Sequence, residues 1–395
     1  MKNKPAILQF ISLVILFLFP VVMISAQTGN TSLFKAQTID STIQIGYGLA
    51  LGDVDGDKKT DILMADKKQF VWYRNGDWKR FVMIENLTEQ DNVCIAASDL
   101  DGDGKVEVAV GAQWIPSETT DKNKSGSVHF LIRPADPTQQ WTAIPLYHEP
   151  TIHRMRWVKN ADGNFYLMVL PLHGVGNIAG NGTPVNILAF KYPELLKKTT
   201  PFKIIETHMH ATHNLEMVSS GFAGKKGLYI AGKEGIGFLD DNFIGQAQPY
   251  PVIINGTNGA GEVRTGKLEK KNEFIASIEP MHGQYLMIFT KEAGRQLIDS
   301  NLNEGHALIA ADILGRGYDQ LVAGWRKPNN EGKLGVKLYT LNQENKWIAQ
   351  WIDENGMACE DLQVADLDAD GRLDIIASGR STHNLKIYWN RTKGN

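Results

Sequence analysis

Ten histidines are spread over 395 residues, and their placement is more informative than their number. Six of them, His148, His153, His208, His210, His213 and His306, stand at or just before a run with strand-like alternation, while His173, His282 and His383 stand just after one. Only His129 lies inside such a run, between Val128 and Phe130. Imidazole has an ordinary pKa near neutrality, so histidines gathered in a pocket can take a proton from carbon, return one to a leaving oxygen, or hold a transition metal. A second set of residues suggests different chemistry. Asp53, Asp55, Asp57 and Asp61 occupy positions 1, 3, 5 and 9 of a short loop, a spacing repeated by Asp99, Asp101, Asp103 and Glu107 and by Asp366, Asp368, Asp370 and Asp374. Alternating carboxylates around a glycine turn offer the oxygen cage that calcium takes, so these loops are expected to hold structural calcium. A fourth copy keeps only Asp312 and Asp319 and is expected to bind none.

Both sets need strands to position them. Each acidic loop joins two apolar runs, such as residues 49–52 and 61–65, and a third run follows, as at 70–74 and 385–389. A fourth often comes next, at 78–84, 141–146 and 347–352. Four short strands per unit of about 40 to 55 residues is the pattern of a β-propeller blade. Weaker copies fill residues 152–206, 214–254 and 262–299, which brings the total to seven units. The last unit has no fourth strand, whereas residues 33–40 form an orphan of that type. The expected fold is therefore all-β: a seven-bladed β-propeller closed by an N-terminal strand, forming a single domain over residues 27–395.

In such a blade, the loops before the first strand and after the second open on one face, and the acidic loops open on the other. Nine of the ten histidines then share the face opposite the calcium loops. His153, His213 and His306, nearest the first-strand starts, are expected closest to the axis, with His173 and His282, each followed by glycine, beside them. Arg154, Arg264, Lys233, Arg326, Glu360, Trp114 and Trp325 fall on the same side and complete a polar, aromatic-rimmed pocket suited to a sugar. His148, His208 and His383 read as turn residues. The chemistry these groups permit is β-elimination next to a carbonyl or carboxylate. His153 or His213 is the expected base and His306 or His282 the expected acid, with Arg264, Arg326 or Lys233 neutralising a substrate carboxylate. A catalytic transition metal is the weaker reading, since His208 and His210 form the only close pair and no His-Glu-x-x-His pattern occurs.

The acidic loops resemble the FG-GAP or VCBS repeat of integrin-type propellers. The segments beginning at Pro150, Pro171, Thr212, Glu279, Glu304 and Ala358 resemble the propeller of the aldos-2-ulose dehydratases, and the related secreted sugar lyases and dehydratases that Bacteroidetes use on uronate-containing polysaccharides. That resemblance implies a carbon–oxygen lyase. Its expected substrate is a uronate-containing oligosaccharide, with ulvan-type dehydratases the nearest guess. Dehydratase and polysaccharide lyase share one proton-abstraction apparatus and stay open as alternatives. So do a two-carboxylate hydrolase using Glu262, Glu279, Glu304 or Glu360 and a non-catalytic glycan- or protein-binding propeller.

The remaining features exclude more than they assign. A formal net charge of -3 argues against nucleic acid as a partner, and two cysteines, Cys94 and Cys359, argue against a disulfide scaffold. Residues 1–26 read as a cleaved signal: Lys2 and Lys4, an apolar stretch from Ala6 to Phe19, then Ala26. The mature chain is expected to be an exported monomer without a membrane anchor, periplasmic rather than secreted. No phosphate-cradling loop, dinucleotide fingerprint or Gly-x-Ser-x-Gly elbow is found.

Overall fold

The second strands of the repeats are mainly apolar after a polar first residue, as in Asp61–Ala65, and in the computed structural model they are buried on both sides. Asp61–Ala65, Gln320–Trp325 and Asp374–Gly379 are covered at every residue, because each sheet is sandwiched between two others. Outer strands such as Arg80–Glu85 and Trp347–Glu354 are mostly half-buried or exposed. Descriptions below cover Met1 and residues 33–197, 202–221, 224–245, 252–254, 258–268 and 272–392. The expected signal, residues 1–26, lies outside these apart from Met1.

The described strands form seven antiparallel sheets of four. Blade 1 is built on Gly48–Gly52, blade 2 on Cys94–Ser98, blade 3 on Ile152–Lys159 and blade 4 on Thr212–Val218. Blade 5 is built on Glu262–Lys267, blade 6 on Gly305–Ala311 and blade 7 on Cys359–Ala365. These innermost strands touch one another all the way round the ring. The seven-bladed propeller expected from the repeats is the observed fold. Phe34–Asp40 is the outer strand of blade 7, antiparallel to Asn384–Asn390 with Phe34 opposite Asn390.

There is no single core. Apolar clusters fill the spaces between neighbouring sheets, as where Leu63, Phe70 and Trp72 of blade 1 meet Val108 and Val110 of blade 2. Three interfaces carry the same polar latch: an aspartate at or beside an outer strand accepts the hydroxyl of a buried tyrosine in the next blade's third strand. The pairs are Asp299 with Tyr339 (2.8 Å), Asp353 with Tyr388 (2.7 Å) and Asp40 with Tyr73 (2.7 Å).

At one end of the ring, the acidic loops bond mainly to themselves. Asp53 accepts the backbone N–H groups of Gly56 (2.6 Å) and Lys58 (2.8 Å), and Asp99 and Asp366 do the equivalent. The position-nine residues turn inward: Asp61 accepts from Val54 N (2.9 Å) and Asn75 N (2.7 Å), and Asp374 from Leu367 N (3.1 Å) and Asn390 N (2.8 Å). Carboxylate oxygens of Asp53, Asp55 and Asp57, of Asp99, Asp101 and Glu107, and of Asp366, Asp368 and Asp374 come within 4.8 Å of one another. Asp61 stands outside its group, whereas Asp374, with the same two backbone bonds, belongs to its own. Asp103 faces Arg133 (3.4 Å), and Asp370 pairs with Arg372.

Candidate active site at the propeller axis

Blades 3, 4, 6 and 7 share an irregularity at the start of the innermost strand. The ladder to the second strand shifts register between Ile152 and Arg154, Thr212 and Asn214, Gly305 and Ala307, and Cys359 and Asp361. One residue is left out each time: His153, His213, His306 and Glu360. Bulges add a side chain outside the pleat and recur beside active sites because they re-aim it. Here they bring three histidines together. The His153 and His213 ring centroids are 4.6 Å apart, and those of His213 and His306 4.9 Å. His282 joins them from the turn after Glu273–Glu279, held at φ +52, a left-handed conformation that a non-glycine residue rarely keeps without compensating contacts. Its Nε2 lies 2.8 Å from His213 Nε2, and its ring 5.0 Å from that of His306.

The backbone fixes two of these rings. His213 Nδ1 is 2.8 Å from the Gly261 carbonyl and His306 Nδ1 2.6 Å from the Glu360 carbonyl. A carbonyl only accepts, so each Nδ1 carries the proton and each Nε2 is bare. Behind His213 stands Glu262, wholly buried. It is 3.3 Å from Nδ1, accepts Asn214 Nδ2 at 2.7 Å and lies 3.3 Å from the Arg264 guanidinium. Burial opposes the Glu262 charge, but His213, Arg264 and Asn214 outweigh it and hold its carboxyl below the ordinary range. Burial, reinforced by Arg154, pushes His153 and His213 down. Burial also pushes His282 to about 2 and His306 well below its usual value. All four are therefore neutral imidazoles.

Ring nitrogens of His213, His282 and His306 lie within 4.8 Å of one another. Three neutral imidazoles, two of them oriented by N–H···O=C bonds, form a donor set that would suit a zinc-like cation. The residues fit such an ion. No local sequence spacing relates them, because they come from three different blades.

The other expected residues divide by whether their polar groups are already committed. Arg326 lies between Glu304 (3.1 Å) and Glu360 (3.4 Å), and Arg380 Nε is 3.3 Å from Glu360. Despite both cations, burial raises the Glu360 carboxyl. Trp114 stacks on His153 at 5.0 Å and 26°. His173 is half-buried and bridges to Ala211 at the edge of this group. Two residues depart from expectation. Lys233 does not face a substrate carboxylate: its Nζ binds the Gly180 carbonyl (2.7 Å) and Asn181 Oδ1 (3.1 Å), pinning the loop after His173. Trp325 is 0% exposed, bonds the Lys333 carbonyl and packs on Trp351, so it offers no face to a sugar. Cys94 and Cys359 are both free and buried.

Two contributors escaped the sequence reading. From its sequence position Glu262 reads only as a hydrolytic carboxylate, and the cross-blade contact to His213 has no local signature. Tyr47 immediately precedes the innermost strand of blade 1, a position like that of the histidines, which was the available signal. It donates to Asp91 (3.0 Å), and Arg380 lies over its ring at 5.2 Å.

Comparisons with known proteins agree with both resemblances. Residues 53–110 match the family model of the FG-GAP-like repeat, and residues 125–292 match that of the aldos-2-ulose dehydratase beta-propeller domain. The curated aldos-2-ulose dehydratase of Phanerodontia chrysosporium is 21% identical over 367 residues, a stretch covering 83% of this chain. The chain spans only 38% of that protein's length. Among solved structures, an exotype rhamnogalacturonan lyase aligns with TM-score 0.53 at 12% identity, covering 91% of this chain and 73% of its own. A chain from a mitotic checkpoint complex aligns with TM-score 0.58 at 12% identity, covering 98% and 99%. At such identities these structures share the fold alone.

Proposed function

We propose that the chain is a carbohydrate-active carbon–oxygen lyase, acting as a dehydratase on a sugar that carries a carbonyl or carboxylate beside the carbon losing its proton. The observation that carries this reading is the convergence of four neutral histidines from blades 3, 4, 5 and 6 on one axial point. His153 takes the proton. Neither of its ring nitrogens has a partner, and Trp114 holds the ring in plane. Both nitrogens are covered by neighbouring groups, so an entering sugar has to part His153 from them. The electron pair of the broken C–H bond passes to the adjacent carbonyl or carboxylate oxygen. It then returns to form the C=C bond as the β C–O bond breaks. The other histidines are neutral, so His153 also hands its proton to the departing oxygen, which leaves as water. A divalent ion at His213, His282 and His306 would supply Lewis-acid polarisation of the oxygen that gathers charge. Glu262 keeps His213 oriented, and Arg326 and Arg380 balance Glu360. The reading includes export, carried by the leader, and structural calcium in the acidic loops.

The test is mass spectrometry of uronate-ended and keto-sugar oligosaccharides after incubation with the protein. Loss of one water supports the dehydratase. Shortening with an unsaturated end reassigns it as a polysaccharide lyase, and an unchanged panel leaves a binding propeller.

A further inference from the structure

At the residue after each bulge, blades 3, 4 and 7 place a polar side chain at the axis: Arg154, Asn214 and Asp361. In blade 4, Asn214 Nδ2 donates to Glu262 of blade 5 at 2.7 Å. In blade 7, Asp361 accepts Leu49 N of blade 1 at 2.8 Å. Both therefore tie one blade to the next. Arg154 does not. Its recorded hydrogen bond runs back to its own strand, from NH1 to the His153 carbonyl at 3.1 Å. Yet it is only 4% exposed.

Four neighbouring cations are already matched, whereas Arg156, two residues along the same strand, also bonds only its own backbone, from NH1 to the Met155 carbonyl (2.9 Å). Arg264 has Glu262, Arg326 has Glu304 and Glu360, Arg380 has Glu360, and Lys233 holds a loop. Among the described residues, no carboxylate comes within ion-pair distance of Arg154. Its position is central: its charge disfavours the protonated forms of His153, His213, His282 and His306 and favours the ionised forms of Glu360 and Asp361. A buried guanidinium without a counter-ion is costly, and its planar fork matches a carboxylate in two parallel hydrogen bonds.

We infer that Arg154 is an anion hook at the floor of the axial pocket and that the ligand it takes is a sugar carboxylate, which makes the substrate class acidic rather than neutral. The inference rests on reading this pocket as the sugar site. It also separates Arg154 from Arg264 and Arg326, whose charges the chain itself uses.

Methyl glucuronide and its methyl ester differ in the carboxylate charge alone, and Trp114 beside His153 provides a fluorescence readout of binding. Both are titrated after exhaustive chelation, so that no metal at the histidines supplies the charge. Wild type is expected to bind the acid about 30-fold more tightly than the ester, the size of a hydrogen bond to a charged group. Arg154→Gln should bring the two within about twofold, and Arg154→Lys, with a point charge but no fork, should recover part of the preference. Arg133→Gln, at the acidic end, should leave the preference in place. A wild-type preference near one, or a preference that survives in Arg154→Gln, overturns the proposal, as does one lost equally with Arg133→Gln. Should Arg154→Gln fail to fold, the wild-type ratio together with Arg154→Lys decides. Inorganic sulfate displacing the acid at equal concentration would overturn the carboxylate assignment. The two readings fail separately. Elimination from a neutral keto-sugar without acid preference would keep the reaction and remove the hook, whereas acid preference without turnover would do the reverse.

Discussion

The two ends of the propeller are built from the same repeats and work by opposite means. At the acidic end, carboxylates satisfy backbone groups two to five residues away, as Asp53 does for Gly56 and Lys58. At the histidine end, the decisive contacts join residues of different blades, as between His213 and Gly261, 48 positions apart, or His213 and His282, 69 apart. One end is a set of self-contained turns open to solvent. The other exists only once the ring has assembled, and it is buried. Chemistry needing water-excluded, pre-oriented groups belongs at the second end, and strand fastening at the first.

That contrast predicts unequal responses to mutation. The largest effect should come from His153→Gln and His213→Gln, each lowering kcat/KM for water loss by about a thousandfold while the far-UV spectrum stays that of a folded propeller. Asp101→Ala at the opposite end should leave kcat/KM within about twofold, since a surface loop change rarely propagates. Full activity in both histidine variants would remove the axial assignment.

Metal analysis after dialysis comes next. One equivalent of a zinc-like ion should be retained by wild type and lost in His306→Ala, with calcium unaffected. Conversely, Asp366→Ala should reduce calcium while sparing the axial ion. Calcium at a hundredfold excess over its Kd should add about 2.7 kcal/mol per occupied loop, read as a rise in Tm that Asp366→Ala diminishes.

A smaller effect concerns pH. Burial first, then the neighbouring loop aspartates, raises Asp61 to about 7 and Asp374 to about 6. A carboxyl whose folded pKa lies above its unfolded value favours the fold when protonated. In chelator, the stability these two contribute should be fullest below the ordinary aspartate range, near pH 4. It should fall as pH climbs through 6 and 7. Thermal melts across that window should show the decline, and saturating calcium should flatten it.

The smallest expected effect is that of Trp325→Phe. Losing the bond to the Lys333 carbonyl should cost about 1 kcal/mol in a denaturant titration, with kcat/KM unchanged. A marked loss of activity would return Trp325 to the pocket.

The same contrast explains how much could be read beforehand. Blade number followed from the loops because Asp53 to Asp61 and its copies are short-range signals, and the weak units at 152–206, 214–254 and 262–299 follow the same strand order. The histidine face followed from topology, since strand order fixes which loops share an end. What could not be read was commitment. Lys233 and Arg154 look alike as isolated cations, and only the structure shows one spent on Gly180 and the other unspent. Trp325 failed because it is the last residue of a buried second strand, where the indole faces the next sheet. The bulges at His153, His213, His306 and Glu360 depend on cross-strand pairing, which no single strand encodes.

The pairing of Phe34–Asp40 with Asn384–Asn390 also imposes an order in time. The ribosome delivers residue 34 well before residue 390, so the outermost strand of blade 7 waits unpaired while every other blade is made. Until it docks, that sheet has three strands and an open edge. Asp40, which reaches the Tyr73 hydroxyl in blade 1, cannot yet latch the seam. Closure of blade 7 is thus the meeting of the earliest and latest described strands, and until it happens the open edge is exposed to pairing with a stranger.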